Sequence, residues 1–137
     1  MAKRILLADD SLFWREQLRT ILEEGSDWTV FQATNGAEAL QKSVWVHPDA
    51  VILDECMPVL DGLAAARELK RSTPHLAVFI VTADKNESLE LAAHQARVPV
   101  FSKADFLEVR NRLMGAEPAS APLETYRKSL RGEKGVA

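Results

Sequence analysis

The feature that most constrains this chain is a set of three short, unbroken apolar runs: Ile5-Leu6-Leu7-Ala8, Val51-Ile52-Leu53 and Val78-Phe79-Ile80-Val81. A strand with one wet face alternates apolar and polar side chains. Short runs that do not alternate predict strands covered on both faces, the pattern of a parallel sheet. Thr29 to Ala33 and Val98 to Ser102 are weaker strand candidates.

Segments with helical spacing fall between these runs. Leu12 to Glu24 sets Trp14, Leu18, Ile21 and Leu22 on one face, and Gly25 stops it. Asn35 can cap a helix from Ala37 to Val46, with Ala39, Leu40 and Val44 inward and His47-Pro48 ending it. Asp61 can cap a helix from Gly62 to Lys70. Asn86 to Gln95 carries Leu89, Ala92 and Ala93 at helical spacing, and Asp105 to Met114 carries Phe106, Val109 and Leu113. Strand and helix alternate throughout. That order predicts an α/β fold, a doubly wound parallel sheet with right-handed crossovers.

The chain has 137 residues, and the alternation fills residues 1–115 as one domain. From residue 116 the composition changes. Glu117 to Pro122 reads as a linker. After it, Leu123, Tyr126 and Leu130 could line a short helix, but Gly132 and Gly135 favour a flexible tail. The net charge of −3, with no basic stripe, argues against direct nucleic-acid binding. Cys56 is the single cysteine, so no intramolecular disulfide can form, which fits a cytoplasmic protein. No apolar stretch approaches a membrane span.

In a doubly wound sheet, ligands bind beyond the carboxyl ends of the strands. Asp9 and Asp10 follow the first run. Asp54 and Glu55 follow the third, Thr82 the fourth and Lys103 the fifth. A lone Asp after a strand is ordinarily a turn or cap residue. Suitable groups at four strand ends together make a site. Clustered carboxylates repel and call for a cation, and a set of oxygen ligands without His points to Mg²⁺ before zinc. Asp54, ionised at pH 7, can act as a nucleophile. Lys103 offers a positive charge and Thr82 a hydroxyl to an incoming phosphoryl group.

This ordered set resembles the receiver domain of two-component response regulators over Lys3 to Met114. Asp9-Asp10, the stretch Asp54-Glu55-Cys56-Met57-Pro58 with Asp61-Gly62, Thr82-Ala83 and Lys103 carry the resemblance. The resemblance implies a flavodoxin-like, chemotaxis-receiver-like (βα)5 sheet in the order 2-1-3-4-5. It implies Mg²⁺-dependent phosphoryl transfer to Asp54 from a histidine kinase or phosphotransfer protein. Asp10 and Asp54 would ligate the metal by their side chains, Asp9 mostly through water and Cys56 through its backbone carbonyl. Thr82 would then move toward the phosphoryl group and repack the α4-β5-α5 face toward a downstream output protein or domain. Weak homodimers through that face, and a signalling rather than enzymatic role, also follow from the resemblance.

Two positions depart from the family pattern. Val100 stands where the switch aromatic is common, and Phe101, one step on, should face the other side of its strand. Ala104 follows Lys103 in place of the common proline. The Lys103-Ala104-Asp105 sequence is similar to receivers joined to LuxR-type DNA-binding domains. Cys56 and Asp84, each two residues beyond a site residue, are expected to tune hydrolysis of the acyl phosphate. Trp28 and Trp45 are expected to be packing residues. Two alternatives stand beside a signalling receiver. One is a degenerate receiver that serves as a docking module. The other is a Mg²⁺-dependent aspartyl-phosphate phosphatase, which would want an acid where Cys56 stands.

Overall fold

The structure, a computed structural model, describes residues 2–115, so the linker and tail expected at 116–137 lie outside the described residues. The chain parts into two units, one ending at Phe106 and one beginning at Leu107. The first unit holds strands β1 (Arg4–Ala8), β2 (Thr29–Ala33), β3 (Ala50–Asp54), β4 (Ala77–Thr82) and β5 (Val100–Ser102). Its helices are α1 (Leu12–Glu23), α2 (Gly36–Val46), α3 (Gly62–Ser72) and α4 (Glu87–Gln95). Helix α5 (Phe106–Gly115) begins at the junction and runs through the described part of the second unit.

The strands form one parallel sheet in the order β2-β1-β3-β4-β5. The three unbroken apolar runs are its centre. Ile5, Leu6, Leu7, Val51, Ile52, Leu53, Ile80 and Val81 are all at most 1% exposed, so both faces are covered, as continuous apolarity requires. One face, made of Leu6, Ala8, Val51, Leu53, Val78 and Ile80, packs on apolar residues of α2, α3 and α4 such as Ala39, Ala65, Leu69 and Ala93. Full burial of each Leu or Ile stabilises by about 1.5–3 kcal/mol.

The loop from β3 to α3 is fixed at both ends. The first-turn amides of α3 have no intrahelical acceptor and are satisfied from this loop. Gly62 N donates to the Glu55 carbonyl at 3.1 Å, Leu63 N to Glu55 Oε1 at 2.8 Å and Ala64 N to Asp61 Oδ1 at 2.8 Å. Asp61 is thus the cap its position predicts. Gly36 N donates to the Leu60 carbonyl at 3.0 Å, and a Cβ at position 36 would lie 2.4 Å from that same oxygen. Glycine is needed at position 36 for close approach.

Several boundaries and faces differ from expectation. Val44 and Trp45 are 71% and 60% exposed, while Val46 is fully buried. Three consecutive apolar residues cannot share one helical face, and Val46 takes the inward place. Trp45 instead meets the Phe31 ring edge-on at 6.5 Å. Trp28 is buried, as expected. Asn86 caps α4 rather than lying within it, its side chain accepting from Leu89 N. A 3-10 turn, Lys103–Asp105, precedes α5, and β5 begins at Val100 rather than Val98.

Candidate functional site

Parallel pairing sets the strand ends side by side. Ala8 pairs with Leu53, Asp54 with Val81 and Thr82 with Ser102. Asp9 therefore leaves the sheet beside Asp54, between β1 and β3, where the strand order reverses and a crevice opens. Carboxylate oxygens of Asp9, Asp10 and Asp54 lie within 4.8 Å of one another. Asp9 and Asp54 are buried, and Asp10 is exposed at the mouth. Glu55, adjacent in sequence, is spent on the α3 amide, which leaves three carboxylates for the site. Burial raises the Glu55 pKa, and its bond from Leu63 N opposes the rise.

Lys103 answers this charge. Its Nζ lies 2.8 Å from Asp9 Oδ2 and 3.5 Å from Asp54 Oδ1, with the side chain only 7% exposed. Lys103 is the charge partner of Asp9 Oδ2, which accepts no further hydrogen bond. Trp14 covers the ammonium, its ring centroid 4.7 Å from Nζ, a cation–π distance. Asp9 itself is held from α1. Ser11 N donates to Asp9 Oδ1 at 2.9 Å, Ser11 caps the helix, and Arg15 Nη1 donates to the Asp9 carbonyl at 2.8 Å. Arg15 is fixed in turn by Gln32 of β2. The supports from Ser11 and Arg15 were not legible in the sequence, because both read as ordinary residues at the start of a helix, whereas Trp14 was marked by its place close after the acidic pair.

Thr82 is buried at the end of β4, and its Oγ1 accepts from Asp84 N at 3.2 Å. Asp84 and Cys56 are both exposed. Partial burial and the charges of Asp54, Glu55, Asp84 and Asp10 push the Cys56 thiol up, which disfavours thiolate chemistry there. Val100 packs on the cluster that contains Ile80, whereas the Phe101 ring lies 6.1 Å from Phe79, so neighbouring residues take opposite faces as alternation demands.

Burial, and then the negative charge of Asp9, push the Asp54 carboxyl up from 3.8 to about 6, with Lys103 opposing. A raised folded-state pKa means that the native protein binds the proton more tightly than the unfolded chain. Stability therefore falls as pH rises from 3.8 to about 6, and the full cost, on the order of 3 kcal/mol, applies above that window. Asp54→Asn removes the charge. In chelator at pH 8 it should be more stable than the parent by about 2–3 kcal/mol, with the gap closing near pH 4. Denaturant melts at the two pH values check this, and an equal gap at both would count against it.

The sequence matches the response regulator receiver domain family over residues 5–103. It is 35% identical to the chemotaxis protein CheY of Bacillus subtilis, over 74% of this chain and 84% of that one. It is also 35% identical to protein-glutamate methylesterase/protein-glutamine glutaminase 1 of Methanosarcina acetivorans, over 74% of this chain but only 30% of that one. In fold it is similar to a LuxR-family two-component response regulator from Aurantimonas sp., with a TM-score of 0.77, 21% identity and coverage of 98% and 100% of the two chains. The chain belongs to the response regulator receiver domain family of two-component systems. Its sheet order is the one the sequence resemblance implied. No helix among the described residues is long and apolar enough to cross a membrane.

Proposed function

We propose that the chain is a phosphoacceptor receiver in which Asp54 takes a phosphoryl group from a phosphohistidine donor. The observation that carries this reading is Asp54 at the crevice, grouped with Asp9 and Asp10 and reached by Lys103. The donor set fits Mg²⁺: among the described residues three carboxylates converge there, one of them a buried Asp9 oxygen held only by the Lys103 charge, with no imidazole or thiolate in the group. Asp10 and Asp54 would hold it by side chains, Asp9 through water and Cys56 through its carbonyl. When bound, the ion neutralises the carboxylates and orients phosphoryl oxygens. Trp14 makes metal entry measurable. Since Lys103 sits on its ring, Mg²⁺ should change tryptophan fluorescence, and Trp14→Phe should abolish the change although Trp28 and Trp45 remain.

The residues then divide the work. A carboxyl titrating at about 6 is mostly ionised at neutral pH, yet more basic than an ordinary aspartate. Its oxygen attacks phosphorus as the P–N bond of the donor breaks, and the departing imidazole keeps the electron pair and takes up a proton. Lys103, already between the two carboxylates, pairs with a phosphoryl oxygen. Thr82 gives up the Asp84 amide and donates its hydroxyl to another oxygen. Its movement frees space beside β5, and Val100 with α4 repacks toward an output partner. Cys56 and Asp84, at the mouth, set access of the hydrolytic water.

The partners on this reading are a histidine kinase or phosphotransfer protein and a downstream output protein or domain, met by this chain in the cytoplasm. One observation favours a second reading. Val100 is already packed on the core and lacks an aromatic ring to rotate, which suits a docking module whose phosphorylation changes little. A phosphatase is disfavoured, since Cys56 offers no acid two residues past Asp54. Acetyl phosphate with Mg²⁺ should load at most one phosphoryl group per chain, and a phosphate monoester should show no sustained turnover. Repeated turnover of the monoester would replace the receiver reading with the phosphatase.

A further inference from the structure

Away from the acidic crevice, α3 and the end of α4 line an open groove of about 480 Å³. Arg67, Lys70 and Arg71 line it from α3, and Arg97, just past α4, lines it from the other side. Among the described residues no carboxylate lines the groove, although the chain as a whole carries a net charge of −3. Lys70 and Arg71 suit the negative end of α3. Arg71 is paired with Glu68, and the Lys70 ammonium is fixed by the carbonyls of Pro74 and Leu76, both at 3.0 Å, which leaves its charge unneutralised. Arg67 lies before that last turn.

Arg97 is the informative residue. Its φ of 63° is in the left-handed region, where glycine fits with least strain, and its N–H closes the helix end onto the His94 carbonyl at 2.9 Å. The backbone alone would be better served by glycine. A long cation is held there nonetheless, on a groove of small-ligand size that Arg67, Lys70 and Arg71 also line. We propose that this groove binds a polyphosphate anion, either the phosphate chain of a nucleotide or free polyphosphate. Guanidinium groups match phosphate oxygens in bidentate geometry, and several cations along one groove favour several linked phosphates over one. Pro74 and the aliphatic part of Gln95 could seat a base or ribose.

The test uses the full chain in EDTA, so that metal at the acidic crevice does not recruit phosphate. Inorganic tripolyphosphate and ATP are titrated separately by calorimetry, with amide NMR to locate the contact. Both should bind, shifting amides near residues 67–71 and 95–97 and leaving those at 54 unmoved. An Arg67→Gln/Arg97→Gly double variant should weaken binding roughly tenfold or more. Asp54→Asn should bind as the parent does. Arg97→Gly alone should be at least as stable as the parent, because glycine relieves the backbone. Tighter binding of ATP than of tripolyphosphate assigns a nucleotide, and equal binding assigns the phosphate chain. No shifts with either probe at millimolar concentration, undiminished binding by the double variant, or a loss of stability in Arg97→Gly would each overturn the proposal.

Discussion

Replacing Lys103 with methionine should cost about 3 kcal/mol or more at pH 8 in chelator, because it leaves the buried carboxylates of Asp9 and Asp54 without their cation. Burial, and then repulsion from Asp9, already hold Asp54 up, at about 6, against the pull of Lys103. Without that pull its pKa climbs further, and one carboxylate stays ionised only at a penalty. Protonation relieves this, so the loss should shrink by about half or more at pH 5. Mg²⁺ at pH 8 should restore part of the stability, since it supplies the missing charge. Denaturant melts of parent and variant under the three conditions decide the matter. A loss independent of both pH and Mg²⁺ would mean that Lys103 matters by packing against Trp14 rather than by charge.

Gly62→Ala should damage stability and phosphorylation together. A Cβ there would lie 2.3 Å from the Asp54 carbonyl oxygen, 2.9 Å from its carbon and 3.0 Å from Glu55 Cα. All three are backbone atoms, so no side chain can swing aside. The end of β3 must move, or α3 must retreat from it. Overpacking of this kind costs about 1–3 kcal/mol. Either movement displaces the nucleophile relative to Lys103, and a displacement approaching 1 Å can slow a positioned reaction by roughly 100-fold. Phosphorylation by acetyl phosphate should therefore slow by roughly 10- to 100-fold while the melting temperature falls by several degrees. A variant that kept both the rate and the stability of the parent would show that the β3–α3 junction is slack.

The sequence made the architecture legible because the informative residues sit at predictable places. Unbroken apolar runs such as Val51 to Leu53 marked doubly covered strands, and the polar residue after each run marked the crevice. Asn35 and Asp61 announced helices by their capping chemistry. What stayed hidden depends on direction rather than on residue type. Glu55 and Asp54 are neighbouring carboxylates, yet one turns to the α3 amides and the other to Lys103. Val44, Trp45 and Val46 are equally apolar, and only three-dimensional packing selects Val46. Trp14 reads as core or rim packing beside the acidic pair, and only the fold shows that its ring covers the site lysine. The basic groove was hidden for a related reason, since Arg97 is distant in sequence from the cations of α3 and only the fold brings them together.

Whether Asp54 accepts the phosphoryl group is decided by the intact mass of the full chain after incubation with acetyl phosphate and Mg²⁺, with Asp54→Asn treated alongside. The parent should gain one phosphoryl group and lose it slowly on standing, and the variant should gain none. No gain in the parent, or an equal gain in Asp54→Asn, would contradict acceptance at Asp54.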